Sequence, residues 1–85
     1  MKATKPYKIG IIQMQMGPDV KDNFARACAL LEQAAAQGVQ VACLPELFRS
    51  QYFCQVENQS VFDLAEPIPG PSTEALAKIA KQHKM

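Results

Sequence analysis

Asp19-Val-Lys-Asp-Asn-Phe-Ala-Arg-Ala-Cys-Ala-Leu-Leu-Glu-Gln-Ala-Ala-Ala-Gln-Gly38 is the stretch on which the fold turns. Val20, Phe24, Ala27, Cys28, Leu31, Ala34 and Ala35 recur at helical spacing, while Lys21, Asp22, Arg26, Glu32 and Gln33 take the other face. Asp19, after the break Gly17-Pro18, is placed to cap the first turn by accepting a free backbone N–H. Gly38 suits the left-handed position that ends a helix. The spacing therefore predicts a helix of about five turns. Before it, Tyr7 to Gln15 carries Ile9, Ile11, Ile12 and Met14, an apolar run rich in β-branched residues that reads as an interior strand. After it, Val39 to Leu44 reads as a second strand closed by Pro45, which cannot donate to a sheet ladder. Strand, helix and strand make a βαβ unit, so the two strands are expected to be parallel.

Outside that unit the chain is less regular. Leu47-Phe48 and Tyr52-Phe53 predict a buried or ligand-facing loop with room for a helical turn. Glu66-Pro-Ile-Pro-Gly-Pro71 is too heavily punctuated for helix or strand. Ser72 is the expected cap of a second helix, with Glu74 in its first turn. Leu76, Ile79, Ala80 and His83 mark one face of that helix, and the pattern is still running at Met85. Two strands and two helices cannot cover both faces of a parallel sheet. Residues 1–85 are therefore expected to form the opening part of a single, larger domain.

Composition narrows the function classes. Nine Lys and Arg stand against eight Asp and Glu, a formal net charge of +1, which supplies no electrostatic footprint for nucleic acid or an anionic membrane. Lys78, Lys81 and Lys84 read as a solvated helix face. No run is long and apolar enough for a transmembrane span, and no signal peptide is visible. Three cysteines, Cys28, Cys43 and Cys54, without a Cys-x-x-Cys pair, point to reduced thiols and a cytoplasmic protein. Cys28 on the apolar helix face and Cys43 within a strand are expected to be buried and structural. Cys54 has only Arg49 nearby to lower its pKa and is not taken as a nucleophile. His83 is expected at the edge of the core or at an interface. The single glycine in Gln13-Met-Gln-Met-Gly-Pro-Asp19 excludes a dinucleotide fingerprint, and neither a phosphate loop nor a metal-ligand cluster is present, so no cofactor is expected.

Glu46 is the residue placed to do chemistry. Ligands of open α/β sheets bind beyond the carboxyl ends of the strands, and Glu46 lies two residues past the second strand, behind Pro45. Flanked by Leu44, Leu47 and Phe48, its carboxylate is expected to be partly desolvated, which would suit it to proton transfer near neutral pH. Position alone leaves two readings open: a general base, or a carboxylate that caps a loop or pairs with a cation.

The run Ile9 to Gln15, with Asn23-Phe-Ala, Ala34-Ala-Ala-Gln-Gly-Val39 and Leu44-Pro-Glu-Leu-Phe48, resembles the N-terminal segment of the nitrilase (carbon–nitrogen hydrolase) superfamily. Gln51-Tyr-Phe-Cys-Gln55 and Ala65-Glu-Pro-Ile-Pro-Gly-Pro-Ser-Thr73 are most similar to the N-carbamoylputrescine amidases within it. The resemblance covers nearly all of this chain but only the opening of such enzymes. It implies an α/β fold in which these residues are the βαβα portion of a four-layer αββα sandwich. It also implies hydrolysis of a linear amide or ureide, foremost N-carbamoylputrescine, by a Glu, a Lys and a Cys, and assembly into a homo-oligomer. Only the Glu carries over, to Glu46. The family's Lys and Cys belong to motifs not in this sequence, and Lys78 and Cys54 do not match them. Tyr52 matches a substrate-pocket tyrosine of the carbamoylputrescine-hydrolysing members, or else packs within its loop. Glu57 could attract a cationic amine but reads rather as a solvated loop carboxylate. Two alternatives remain: a β-ureidopropionase-like or ω-amidase-like member of the superfamily, and a non-catalytic interaction unit.

Overall fold

A computed structural model describes residues 5–52 and 59–85. Phe53, Cys54 and Glu57 lie outside the described residues. Strand β1 (Ile9–Ile11), helix α1 (Val20–Ala36), strand β2 (Val41–Cys43), a 3-10 turn (Gln59–Leu64) and helix α2 (Pro71–His83) follow in that order. β1 and β2 pair in parallel, with Ile9 opposite Val41 and Ile11 opposite Cys43. The expected βαβ crossover is present, with both strands shorter than the apolar runs that predicted them.

α1 begins and ends where its sequence dictates. The Asp19 side chain accepts from the backbone N–H groups of Lys21 and Asp22, satisfying donors that the first turn leaves unpaired. Gly38 follows the helix at φ +85°, a left-handed conformation that glycine adopts without a Cβ penalty. Lys8 then ties the helix end back to the sheet, donating through Nζ to the Gln37 carbonyl at 2.7 Å.

Ile12, Leu31, Ala34, Val39 and Ile79 form the core, with Ala42, Leu44 and Leu76 packed against it. Because strand side chains alternate faces, Ala42 and Leu44 turn inward toward the helices. Ile9, Ile11, Val41 and Cys43 turn the other way and are exposed. Ile11 is 80 % exposed. The strands were expected to be covered on both faces, but in this chain both helices serve one side. Cys43, expected to be buried, is exposed for that reason. Cys28 is half-buried on α1.

α2 departs from its expected start and end. Pro71 is the first helical residue and Gly70 the cap position, so Ser72 lies inside the helix instead of capping it. Proline is pre-organised for the first helical position, where its missing N–H costs nothing. Gly70 leaves no room for a side chain: an added Cβ would lie 2.2 Å from the Pro67 carbonyl oxygen. The helix closes at His83, where Lys84 turns left-handed at φ +53° and Met85 N–H bonds back to the Ala80 carbonyl. His83, at the core edge as expected, reaches Glu32 on α1 at 2.5 Å and joins the two helices. Lys78, Lys81 and Lys84 are exposed, as a solvated face requires. None of the described helices is long and apolar enough to cross a membrane.

Candidate active site

β2 delivers the chain through Leu44 and Pro45 into a turn over residues 46–49. The turn is closed by the Ser50 N–H, which donates to the Leu47 carbonyl at 3.2 Å. Leu47 sits at φ +56°, a left-handed conformation that a branched side chain holds only when its surroundings enforce it. Glu46 thus stands at the carboxyl end of a parallel strand, on a turn whose backbone is strained beside it. Its side chain is exposed in this chain, not partly desolvated as its apolar neighbours implied. Phe48 packs against Phe24 of α1 and Leu47 lines a neighbouring cleft, while the carboxylate stays exposed. Among the described residues no hydrogen bond or ion pair holds the Glu46 side chain.

The turn itself is held from three directions. The Phe48 ring packs against Phe24 of α1 with centroids 6.2 Å apart. The Arg49 carbonyl accepts from Asn23 Nδ2 at 3.0 Å, and the Arg49 guanidinium donates to the Leu64 carbonyl at 3.1 Å. Arg49 also pairs with Glu66 at 3.4 Å. Glu66 in turn accepts from the Ser72 N–H at 2.9 Å, doing the work of a cap for α2. These bonds, first from the Ser72 side chain and then from its backbone, hold the Glu66 carboxyl below the usual carboxylate range, with Arg49 adding to the effect against an opposing desolvation.

Asn23 is fully buried, and all four of its hydrogen-bonding capacities are used. Oδ1 accepts from the Gly17 N–H at 2.8 Å and from Arg26 at 2.7 Å. Nδ2 donates to the Gly17 carbonyl at 2.8 Å as well as to Arg49. One side chain therefore fixes the β1–α1 loop and the Glu46 turn to the same point on α1. A buried polar group so fully paired rigidifies what it joins.

A cleft of about 440 Å³ lies between the turn (Leu47, Phe48, Arg49, Ser50) and the segment Phe62, Leu64 and Ala65. Its walls are mostly apolar. Glu46 adjoins the cleft in sequence without lining it. Tyr52 is 64 % exposed and does not line it either, so the two expected site residues do not share this cleft. Burial and the Glu32 carboxylate push the Cys28 thiol up, against the thiolate form. Among the described residues no cluster of His, Cys, Asp and Glu could hold a metal ion.

Sequence reading passed over Arg49 and Glu66 as positional groups and read Asn23 only as part of a motif. For Asn23 a signal was there: with Ala27, Leu31 and Ala34 it continues the buried stripe of α1. A polar residue in that stripe must find partners inside. Arg49 and Glu66 are 17 residues apart and meet only in the folded chain.

A strand-end carboxylate thus stands on a turn held to both helices, after a parallel βαβ unit. Residues 8–85 match the carbon-nitrogen hydrolase family model, and the chain belongs to that family. It is 38% identical over 79 residues to omega-amidase NIT2 of Bos taurus, covering 93% of this chain and 27% of that protein. Identity to omega-amidase NIT2-A of Xenopus laevis is 40% over 77 residues, covering 89% of this chain and 26% of that protein. The mouse omega-amidase NIT2 matches with the same figures. The chain thus spans about a quarter of the length of these relatives.

Proposed function

We propose that the whole protein is an amidohydrolase that cleaves the terminal carbon–nitrogen bond of a linear amide or ureide, with Glu46 as its general base. The observation that carries this is the position of Glu46 at the end of β2 on a turn held to both helices, in a chain of the carbon-nitrogen hydrolase family. The Glu takes a proton from a nucleophilic thiol elsewhere in the protein and returns it to the leaving amine. Water then releases the acyl group. No cofactor enters this chemistry. The fold of the whole protein is a four-layer αββα sandwich. The exposed apolar face of Ile9, Ile11, Val41 and Cys43 supports that reading, because a second layer would cover it and enclose Glu46. A cytoplasmic homo-oligomer completes the proposal.

Two substrate classes follow. The omega-amidases among the relatives favour a terminal amide. The motifs Gln51-Tyr-Phe-Cys-Gln55 and Ala65 to Thr73 favour N-carbamoylputrescine, with Tyr52 lining the pocket for the diamine chain. Water would convert that substrate to putrescine, carbon dioxide and ammonia. Ammonia release by the full-length gene product, from a terminal amide of a linear carboxylate, from N-carbamoylputrescine and from a carbamoyl β-amino acid, separates the classes. Glu46→Gln should lower kcat on the preferred substrate by about 10²- to 10⁴-fold, the range of a lost acid–base group. A Glu46→Gln variant with wild-type turnover would refute the role of Glu46.

A further inference from the structure

We propose that Arg49 is a positioning residue for Glu46, clamping the turn that carries it between the two helices; this rests on the reading of Glu46 as general base. The carboxylate of Glu46 is exposed, and among the described residues nothing bonds to it. Among the described residues its place is therefore set through the backbone of residues 46–49. That backbone contains Leu47 at φ +56°, a conformation that relaxes unless neighbouring contacts hold it.

Arg49 supplies those contacts at both of its ends. Its carbonyl accepts from Asn23, itself fully buried and fully paired on α1. Its guanidinium bridges the Leu64 carbonyl and the Glu66 carboxylate, and Glu66 holds the first turn of α2 through the Ser72 N–H. The side chains of Arg49 and Glu66 are only 29% and 19% exposed, so solvent competes little for the pair. Both contacts are made by Nη1, whose two N–H donors are fixed in the guanidinium plane, whereas a lysine ammonium rotates on a flexible stem. Release of this clamp frees the turn to relax and moves the carboxylate, and proton transfer is sensitive to displacements on the order of 1 Å.

The test is made in the full-length gene product, with Arg49→Ala, Arg49→Lys, Glu66→Gln and Glu46→Gln measured side by side. Arg49→Ala should lower kcat about 10- to 100-fold, with KM within threefold of wild type. Free guanidinium at sub-denaturing concentration should restore part of that kcat. Arg49→Lys and Glu66→Gln should fall between Arg49→Ala and wild type. If Arg49→Ala does not fold, Arg49→Lys and Glu66→Gln decide by the same split of kcat from KM. Wild-type kcat in these variants, alongside an inactive Glu46→Gln, would overturn the clamp and leave the general base standing. Loss of kcat together with thermal stability, without rescue by lysine or guanidinium, would reduce Arg49 to a structural staple. Full activity of Glu46→Gln would overturn both proposals.

Discussion

Glu66 holds its place through two different neighbours, the Ser72 N–H at the start of α2 and the Arg49 guanidinium after β2. Its carboxyl sits below the ordinary range, chiefly because hydrogen bonds from Ser72 favour the charged form. A carboxyl whose pKa is depressed on folding adds stability above its unfolded pKa and loses it as pH falls through the folded value. The stability difference between wild type and Glu66→Gln should therefore be largest near neutral pH and shrink on acidification below the ordinary carboxylate pKa of about 4.3. Urea midpoints across that range read the effect, and a difference independent of pH would refute it. Ser72 was legible as a helix-start residue, but not its true role. A cap is a local pattern, whereas Glu66 reaches Ser72 only after the chain bends through Pro67 to Gly70.

At the scale of the element, α1 is the part most fully written in its own sequence. Its start is a side-chain cap at Asp19 and its end a left-handed glycine, and both act within a few residues. Asp19→Ala should cost about 0.5–2 kcal/mol, and Gly38→Ala about 1–2 kcal/mol through the left-handed φ. The sites sit at opposite ends of the helix with no shared partner, so the double variant should lose the sum. Urea denaturation of the full-length gene product, with unchanged slope, measures it; a double variant no worse than either single one would contradict independent ends. The strands were legible as elements but not in extent, since pairing partners, absent from a local pattern, decide where a ladder stops. The buried stripe of α1 showed in its apolar members, while Asn23 needed Gly17 and Arg49 to make sense of it.

At the scale of the whole molecule, surface dominates. The chain exposes 6953 Å², against about 5,000 Å² for a compact folded protein of its mass. Its radius of gyration is 15.4 Å, where about 12 Å is usual for 85 residues in a compact domain. The apolar face of the strand pair, with Ile9, Ile11 and Val41, lies open, and an open face of that kind recruits other chains. Residues 1–85 by themselves should release no ammonia from terminal amides or N-carbamoylputrescine and should bind a hydrophobic dye. Turnover by this segment that disappears with Glu46→Gln would show that it holds a complete site.

The sequence by itself determined the parallel βαβ order, both ends of α1, the family through Leu44-Pro-Glu-Leu-Phe48, and the position of Glu46 after the second strand. These rest on spacing, caps and glycine conformation, which act over a few residues and so can be read in order along the chain. Only the tertiary structure decided that Glu46 is exposed, that Cys43 faces out, and that Asn23, Arg49 and Glu66 lock the turn to two helices. Burial and hydrogen-bond partnership belong to pairs of residues far apart in sequence, such as Asn23 with Arg49, and they come into being only when the elements pack.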